Sequence, residues 1–265
     1  VVEEEIKKPH GMVVVTGPTG HGKTTTLYAI LNILNTQKVN ITTIEDPIEY
    51  ELPRVNQTQV NVKAGVTFAN GLRALLRQNP DIIMIGEIRD KDTVEISVQS
   101  ALTGHLVLSS LHTNDAPSAI PRFIDMGAQP FLLSSTLNAV IAQRLVRRIC
   151  GSCIESYPIN AATTKRINAQ IKARGDKVSV AVPKTLYRGR GCSVCGNSGY
   201  RGQIGIFEVM RVTESVQEMI LKSAPAVDIR KAAIKDGMYT MFDDGLMKVE
   251  SGVTTIDEVL RVVQE

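Results

Sequence analysis

The clearest chemical pattern in the chain is a glycine-rich loop near its start. Residues Gly17 to Thr24 read GPTGHGKT and fit G-x-x-x-x-G-K-[ST], in which glycines let backbone N–H groups wrap around phosphate oxygens. We expect Lys23 to reach the terminal phosphates and the Thr24 hydroxyl to bind magnesium. A glycine-rich turn without a ligand is the alternative, but an apolar run precedes the loop and a helical stripe follows it. The predicted nucleotide-binding residues are Gly17, Pro18, Thr19, Gly20, His21, Gly22, Lys23, Thr24 and Thr25.

Acidic residues follow two other apolar runs, where they could hold magnesium and orient an attacking water. They occupy segments 45–49 (EDPIE) and 86–90 (GEIRD). Most phosphate-loop enzymes end an aliphatic strand with aspartate, but here Gly86 stands at that position and Glu87 follows it. We therefore expect Glu87 to contact magnesium through water. Either Glu87 or Glu49 could polarise the nucleophile.

Four further polar residues at strand ends are weaker candidates. For Glu45 and Asp46, capping the strand end is as reasonable as catalysis. His105 and His112 bracket the apolar run 106–108. An isolated histidine at a strand end is usually structural, yet two of the four histidines in the chain flank this one strand. Both are therefore kept as candidates for sensing the terminal phosphate.

All four cysteines fall in two C-x2-C pairs separated by 38 residues: Cys150, Cys153, Cys192 and Cys195. Two such pairs can hold zinc by four thiolates in a tetrahedron. The gap is longer than in common zinc ribbons, while glycines around the second pair favour the zinc interpretation. A redox or disulfide role is the alternative. A closed four-thiolate site leaves no position for substrate, so the predicted zinc is structural.

The elements that position these residues alternate between unbroken apolar runs and helical stripes. The apolar runs are residues 12–15, 41–44, 82–85 and 106–108. The stripes are Leu27, Ile30, Leu31 and Leu34; Phe68, Leu72, Leu75 and Leu76; and Val94, Val98, Ala101 and Leu102. This pattern predicts an α/β fold whose parallel sheet carries helices on both faces.

The remainder of the chain is less regular. Helices are predicted over residues 116–126 and 131–148, and a strand over 205–210. Residues 156–183 are polar with little periodicity. A last helix is predicted to place Ile256, Val259, Leu260 and Val263 on one face.

Composition restricts the function only loosely. The 265 residues are 43% hydrophobic and 22% charged, with a net charge of +3, as expected of a globular protein with a full core. No uninterrupted apolar segment is long enough for a membrane span, and residues 1–10 do not read as a signal peptide. We therefore expect a cytosolic protein.

Five segments together resemble a known family. They are GPTGHGKTTTLY (17–28), ITTIEDPIEY (41–50), LRALLRQNPDIIMIGEIRD (72–90), TGHLVLSSLHTN (103–114), and AQRLVRRICGSC followed by GYRGQIGIFEVM. In combination they resemble the secretion ATPases that extend type IV pili and drive type II secretion. The paired CxxC motifs favour the assembly branch, since the retraction ATPases of the superfamily generally lack them.

The resemblance implies a RecA-like P-loop ATPase core over residues 1–148, a tetracysteine zinc-stapled insertion over 149–204, and a C-terminal strand and helical subdomain over 205–265. It implies a homohexamer with ATP between neighbouring subunits, and docking beneath an inner-membrane platform protein, peripheral to the membrane. The implied cofactors are ATP, Mg²⁺ and Zn²⁺.

The resemblance also assigns roles to individual residues. Residues Gly17 to Thr24 would bind ATP, and Glu87 would be the atypical Walker B acid that binds magnesium with Thr24. Glu49 lies in the acidic box, and His105 or His112 would serve the histidine box.

Family members carry a further subdomain before the phosphate loop, which supplies arginines to a neighbouring site, whereas only eleven residues precede Met12 here. We therefore expect a fragment of a longer protein that binds nucleotide and, by itself, hydrolyses it slowly.

Two other functions remain open. The basic clusters Arg144, Arg147 and Arg148, and Arg188 and Arg190, could serve a motor that moves along nucleic acid. However, only 4% of residues are aromatic and tryptophan is absent, so stacking platforms for bases are scarce and no nucleic-acid partner is expected. The third possibility is a ring scaffold that binds ATP without hydrolysing it.

Overall fold

The computed structural model describes residues 1–174 and 182–264. The chain divides into two compact units. The first consists of Val1–Ala142 and Val209–Met238, and the second of Gln143–Glu208 and Tyr239–Glu265.

The strands are β1 (Gly11–Thr16), β2 (Ile41–Glu45), β3 (Val55–Gln59), β4 (Ile82–Ile85), β5 (Leu106–Leu111), β6 (Leu137–Ile149), β7 (Ile154–Pro158), β8 (Thr185–Gly189) and β9 (Tyr200–Arg211). Seven of them form a sheet in the order β3-β2-β4-β5-β1-β6-β9. Strands β7 and β8 form a separate antiparallel pair.

The helices are α1 (Val2–Ile6), α2 (Lys23–Leu34), α3 (Phe68–Leu75), α4 (Lys91–Leu102), α5 (Ala119–Asp125), α6 (Pro130–Thr136), α7 (Ala161–Arg174), α8 (Glu214–Leu221), α9 (Ala226–Lys235), α10 (Met241–Glu250) and α11 (Ile256–Gln264). Across the described residues, every helix falls short of the length and apolarity that a membrane span requires.

The four predicted apolar runs form the centre of the sheet in the first unit. Every residue of β1, β2, β4 and β5 is buried, and these strands pair in parallel. Strands covered on both faces need no polar alternation, which is why the runs are unbroken. The prediction of an α/β fold with a parallel sheet is confirmed, as are helices α2, α3 and α4.

The helix predicted over residues 131–148 is wrong after Thr136. Strand β6 begins at Leu137 and pairs in parallel with β1, placing Ala139 opposite Val13 and Ala142 opposite Thr16. Its first part is buried on both faces, so its residues lack the alternation that identifies a strand. A buried apolar run of this length is ambiguous between helix and strand when periodicity is the only guide.

Strand β3 and the polar stretch 156–183 are among the regions without a predicted element. Strand β3 lies at the edge of the sheet, and its polar sequence VNQTQ carries no apolar signal. The polar stretch 156–183 contains most of β7 and helix α7, and part of that stretch lies outside the described residues.

The second unit has its own apolar core, supplied by α7, β8, α10 and α11. The buried members are Ile167, Leu186, Phe242, Leu246, Val249, Ile256, Val259 and Leu260. The predicted boundary between residues 204 and 205 does not coincide with this division, because the last two helices share a core with the segment between the cysteine pairs. The predicted face of the last helix is confirmed at Ile256, Val259 and Leu260.

An ion pair between β6 and α11 of the second unit joins a half-exposed arginine to a buried carboxylate. The Glu258 side chain is 3% exposed and accepts hydrogen bonds from the Arg147 guanidinium at 2.7 Å and the Arg147 backbone N–H at 3.0 Å. Arg261 also donates to it, at 3.1 Å. Burial favours the neutral carboxyl, but the hydrogen bonds from Arg147 and Arg261 outweigh it and lower the pKa of Glu258 to about 2.

We predict that Glu258→Gln lowers the free energy of unfolding by about 2 kcal/mol at pH 7, because hydrogen bonds to a charged group are lost. The folded-state pKa lies below the ordinary value of 4.5, so this stabilisation is complete above that pH and is lost as pH falls towards 2. Urea unfolding followed by circular dichroism at several pH values measures the difference.

The matched control is Asp257→Asn, since Asp257 is 67% exposed and pairs with the exposed Arg166. We expect it to cost less than about 0.5 kcal/mol. Equal effects of the two substitutions, or a Glu258→Gln deficit that stays constant down to pH 2, would contradict the assignment.

Candidate functional site

The glycine-rich loop connects β1 to α2 at the carboxyl edge of the sheet. Gly20 and Gly22 have φ of +79° and +81°, a backbone conformation that side chains disfavour. Helix α2 begins directly after Gly22, so its first N–H groups face the loop. At the end of β1, the Thr16 hydroxyl shares a hydrogen bond of 2.7 Å with Thr113 Oγ1. It also accepts a hydrogen bond from the Thr113 backbone N–H at 2.8 Å. The start of the loop is thereby fixed to the segment after β5.

The loop encloses the ammonium group of Lys23. Lys23 Nζ donates hydrogen bonds to the carbonyl oxygens of Gly17 at 2.9 Å and Pro18 at 3.1 Å. The positive charge of Lys23 and the amino end of α2 therefore act at the same place. This is the arrangement that favours a bound phosphate.

A cleft of about 570 Å³ opens beside the loop. Nine of the predicted site residues line it: Thr19, Gly20, Gly22, Lys23, Thr24, Thr25, Glu49, Glu87 and His112. Glu45 and Asp46 line it as well. Gly17, Pro18 and His21 belong to the loop but do not line the cleft. The structure therefore brings the loop, the acidic box and one of the two histidines to a single cleft.

The position of Gly86 explains the departure from the usual aspartate. A Cβ at residue 86 would lie 3.3 Å from Glu45 Cα and 3.4 Å from the Ile44 carbonyl oxygen. The Gly86 N–H donates to that same carbonyl at 2.8 Å, so the backbones of the two strand ends are in close contact. A side chain at residue 86 would therefore be tightly confined, and the acidic residue here is the next one, Glu87.

Glu87 is surrounded by cationic and polar groups. Its side chain is 14% exposed, forms an ion pair with Arg89, and lies 3.1 Å from His112 Nε2. Burial lowers the pKa of His112, and the positive charges of Lys23 and Arg89 lower it further. When neutral His112 carries its hydrogen on Nε2, this N–H donates a hydrogen bond to Glu87 Oε2.

His105 is not part of this cleft. It precedes β5, whose first residue Leu106 is opposite Gly11 of the parallel strand β1, whereas the phosphate loop follows the other end of β1. The His105 ring nitrogen Nδ1 lies 3.0 Å from the Ser100 carbonyl oxygen. His105 therefore has the structural role of linking the end of α4 to the start of β5, and the sensing role expected of it has no geometric support.

A buried hydrogen-bond network behind the cleft was missed from the sequence. Glu45 is 2% exposed and accepts from Tyr28 Oη at 2.5 Å and Thr43 Oγ1 at 2.6 Å. Gln57 Nε2 of β3 also donates to Glu45, at 3.1 Å. Three donors satisfy this buried carboxylate, which favours the structural interpretation of Glu45 over the catalytic one. Tyr28 is the sixth residue of α2 and is fully buried, but nothing in the sequence relates it to Gln57.

The four cysteine sulfurs form a compact cluster in the second unit. All lie within 4.8 Å of one another, and three of the separations are 3.9, 3.9 and 3.7 Å. A tetrahedron of sulfurs each about 2.3 Å from zinc has edges of about 3.8 Å, whereas a disulfide bond is about 2.05 Å long. The cysteines are free, and their arrangement fits a tetrahedral zinc site.

The pKa values of two of the thiols are shifted in opposite directions. Burial opposes ionisation of Cys195, but the backbone N–H groups of Cys192 and Gly199 donate to its sulfur and lower its pKa to about 6. Burial raises the pKa of Cys153 to about 12. Zinc binds thiolates, so a zinc ion held by this cluster would have to displace the proton of Cys153.

The chain was compared with known proteins. Residues 1–261 match the family described as type II/IV secretion system protein. Type II secretion system protein E of Pseudomonas aeruginosa is 50% identical over 265 residues, covering 100% of this chain and 51% of that protein. Type II secretion system ATPase E of Vibrio cholerae is 48% identical over 98% of this chain and 50% of that protein. The type IV pilus assembly ATPase PilB of Thermus thermophilus is 46% identical over 97% of this chain and 28% of that protein. This chain therefore spans about half the length of the two type II secretion relatives.

Solved structures support the same fold. The pilus retraction motor PilT with bound ADP has a TM-score of 0.71 and 27% identity, over 98% of this chain and 63% of that one. The ATPase DotB of Legionella pneumophila has a TM-score of 0.70 and 22% identity, over 99% of this chain and 62% of that one, and indicates the fold alone. With the resemblance noted in the sequence thus confirmed, this chain belongs to the type II/IV secretion system protein family.

Proposed function

We propose that this chain carries the ATP-hydrolysing site of a motor that assembles a type IV pilus or a type II secretion pseudopilus. The observation that carries the proposal is the single cleft in which Lys23 and the start of α2 meet Glu49 and Glu87. Relatives named as ATPases of type II secretion and of type IV pilus assembly support the reaction and its use.

In this proposal the triphosphate occupies the loop from Gly17 to Thr25. Its oxygens replace the two carbonyl groups that Lys23 contacts, so Lys23 neutralises charge on the terminal phosphates. Thr24, the second residue of α2, would hold magnesium with its hydroxyl, and Glu87 would act on the ion through water. Magnesium, when bound, neutralises charge that develops on the phosphate oxygens.

Of the carboxylates that line the cleft, Glu49 and Glu87 are the two candidates for the acid–base role. Glu87 is held by His112 and Arg89, which limits its freedom to accept a proton. Glu49 is exposed at the cleft wall. We favour Glu49 as the base that orients the attacking water, with Glu87 acting through magnesium and His112 responding to the terminal phosphate.

We further propose that Cys150, Cys153, Cys192 and Cys195 bind one structural zinc ion. The sulfur separations support this, and so does the modest apolar core of the second unit. Four thiolates leave no open position on the metal, so the ion holds the two cysteine pairs together and takes no part in hydrolysis.

The complete motor is proposed to be a homohexamer with ATP between neighbouring subunits, cytoplasmic and peripheral to the inner membrane. There it would bind a platform protein of the pilus or secretion machine, with no nucleic acid involved. Relatives named as components of these machines support the assignment.

We predict that Lys23→Ala in the full-length protein weakens ATP binding at least tenfold, because the cation inside the loop is lost. Glu87→Gln should bind ATP within threefold of wild type but lower kcat by a factor of about 10²–10⁴. Glu49→Gln should lower kcat to a similar extent if Glu49 is the base. Phosphate release and equilibrium binding of a fluorescent ATP analogue measure the two quantities.

Glu95→Gln is the control, since Glu95 is exposed on α4 outside the cleft. It should leave both quantities unchanged. If the wild-type protein binds ATP tightly without turnover, and Glu87→Gln changes nothing, the chain is an ATP-binding scaffold and the proposed hydrolysis is wrong. Stimulation by DNA with strong salt dependence would instead indicate a nucleic-acid motor.

We predict one zinc per chain by elemental mass spectrometry, and loss of that zinc in Cys192→Ser. Ser193→Ala, which changes the neighbouring residue and keeps all four thiols, should retain it. Hydrogen exchange should rise in residues 150–158 and 185–200 of the Cys192→Ser variant, because the two cysteine pairs are no longer tied together. An intact mass showing lost thiol hydrogens in zinc-free wild-type protein would establish disulfides instead.

A further inference from the structure

The segment between β2 and β3 carries Glu49 and forms one wall of the cleft. The side-chain amide of Gln57, on β3, forms hydrogen bonds with the backbone of this segment. The Leu52 N–H donates to Gln57 Oε1 at 2.6 Å, and Gln57 Nε2 donates to the Tyr50 carbonyl oxygen at 3.2 Å. Both contacts lie within three residues of Glu49.

The side-chain amide of Gln57 also contacts two buried residues of the first unit. Gln57 Nε2 lies 3.1 Å from Glu45 Oε1 and 3.3 Å from Tyr28 Oη. Glu45 is the last residue of β2, and Tyr28 is a fully buried residue of α2. Gln57 therefore connects the segment to the end of a central strand and to the helix that begins at the phosphate loop.

Tyr28 contacts the segment directly as well. Its ring lies edge-on to the Tyr50 ring, with centroids 4.7 Å apart and planes at 83°. Hydrogen bonds from the backbone N–H groups of Glu49 and Tyr50 favour the ionised form of Tyr28 and so act to lower its pKa. Burial and the nearby Glu45 carboxylate raise the pKa of Tyr28, so the phenol stays protonated and remains a donor to Glu45.

We propose that Gln57 is a positioning residue that holds the segment 46–52 so that Glu49 faces the bound nucleotide. Gln57 is absent from the lining of the cleft, so it acts through the segment and not on the nucleotide. The role rests on the proposed hydrolysis of ATP and on Glu49 as its base.

The chemistry of the site explains why an amide is required. Residue 57 must accept from the Leu52 N–H and donate to the Glu45 carboxylate at the same time. Glutamate would place a second negative charge beside Glu45, and methionine would fill a similar volume without either hydrogen bond. Gln57→Met is therefore the informative substitution.

The control is Asn56→Leu, on the adjacent residue of the same strand. Asn56 is exposed, and its amide donates to Asn40 Oδ1 at 3.3 Å, away from the cleft. The control also removes a side-chain amide from β3, so it reports any general weakening of the edge strand. Circular dichroism melting of both variants checks that each protein is folded at the assay temperature.

Two measurements on the full-length protein test the proposal. Hydrogen exchange detected by mass spectrometry should show faster exchange of the peptide covering residues 46–54 in Gln57→Met and no change in Asn56→Leu. Steady-state kinetics should show kcat lowered about 10- to 100-fold in Gln57→Met, with KM for ATP within about threefold of wild type. The double variant Gln57→Met/Glu49→Gln should be no slower than Glu49→Gln alone.

The outcomes separate this proposal from the proposed function. Unchanged exchange in Gln57→Met shows that the amide does not hold the segment and overturns the proposal while ATP hydrolysis stands. Faster exchange with unchanged kcat, or effects that add in the double variant, overturns the positioning role. If the wild-type protein does not hydrolyse ATP, the proposed function fails first and the positioning role fails with it.

Discussion

The parallel alignment of four buried strands is the constraint on which the candidate site depends. Strands β2, β4, β5 and β1 are neighbours in that order, and all point the same way. Their carboxyl ends therefore meet at one edge, where the loops after them supply Glu49, Glu87, His112 and Lys23. Each of these side chains comes from a different strand end. A change in the direction of any one strand would remove its residue from the cleft.

The carboxylates Glu45, Glu49 and Glu87 at this edge differ in burial and in the groups that they contact. Glu45 is buried and satisfied by three donors, so it organises the protein and is poorly placed to exchange a proton. Glu87 is paired with Arg89 and His112, and Glu49 is exposed at the cleft wall. These three carboxylates thus have three different environments. Separate environments are what allow like groups to take separate roles.

The sequence predicted the parts of the fold that have a short-range signal. The phosphate loop and the four central strands could be identified because each is a continuous run of defined residue types. Strand β6 could not, because burial on both faces removes its alternation. The contacts of Gln57 could not be identified, because they depend on the sheet register that places it opposite Thr43 and beside Glu45. His105 lies outside the cleft because it precedes β5, and spacing alone does not reveal the direction of that strand. Glu87 and His112 were found because both follow strands that end at the loop.

The second unit is organised by a different balance of forces. Among the described residues, the buried members of its apolar core come from three helices and one strand. The cysteine pairs lie in turns around short polar segments, where little apolar surface is available to hold the chain. Backbone N–H groups of Cys192 and Gly199 point at the Cys195 sulfur, so this turn is already shaped to stabilise a thiolate. Such a turn stabilises a thiolate, which is the form of cysteine that binds a metal cation. The shape of the turn and the separation of the sulfurs both fit the zinc ion proposed for this cluster.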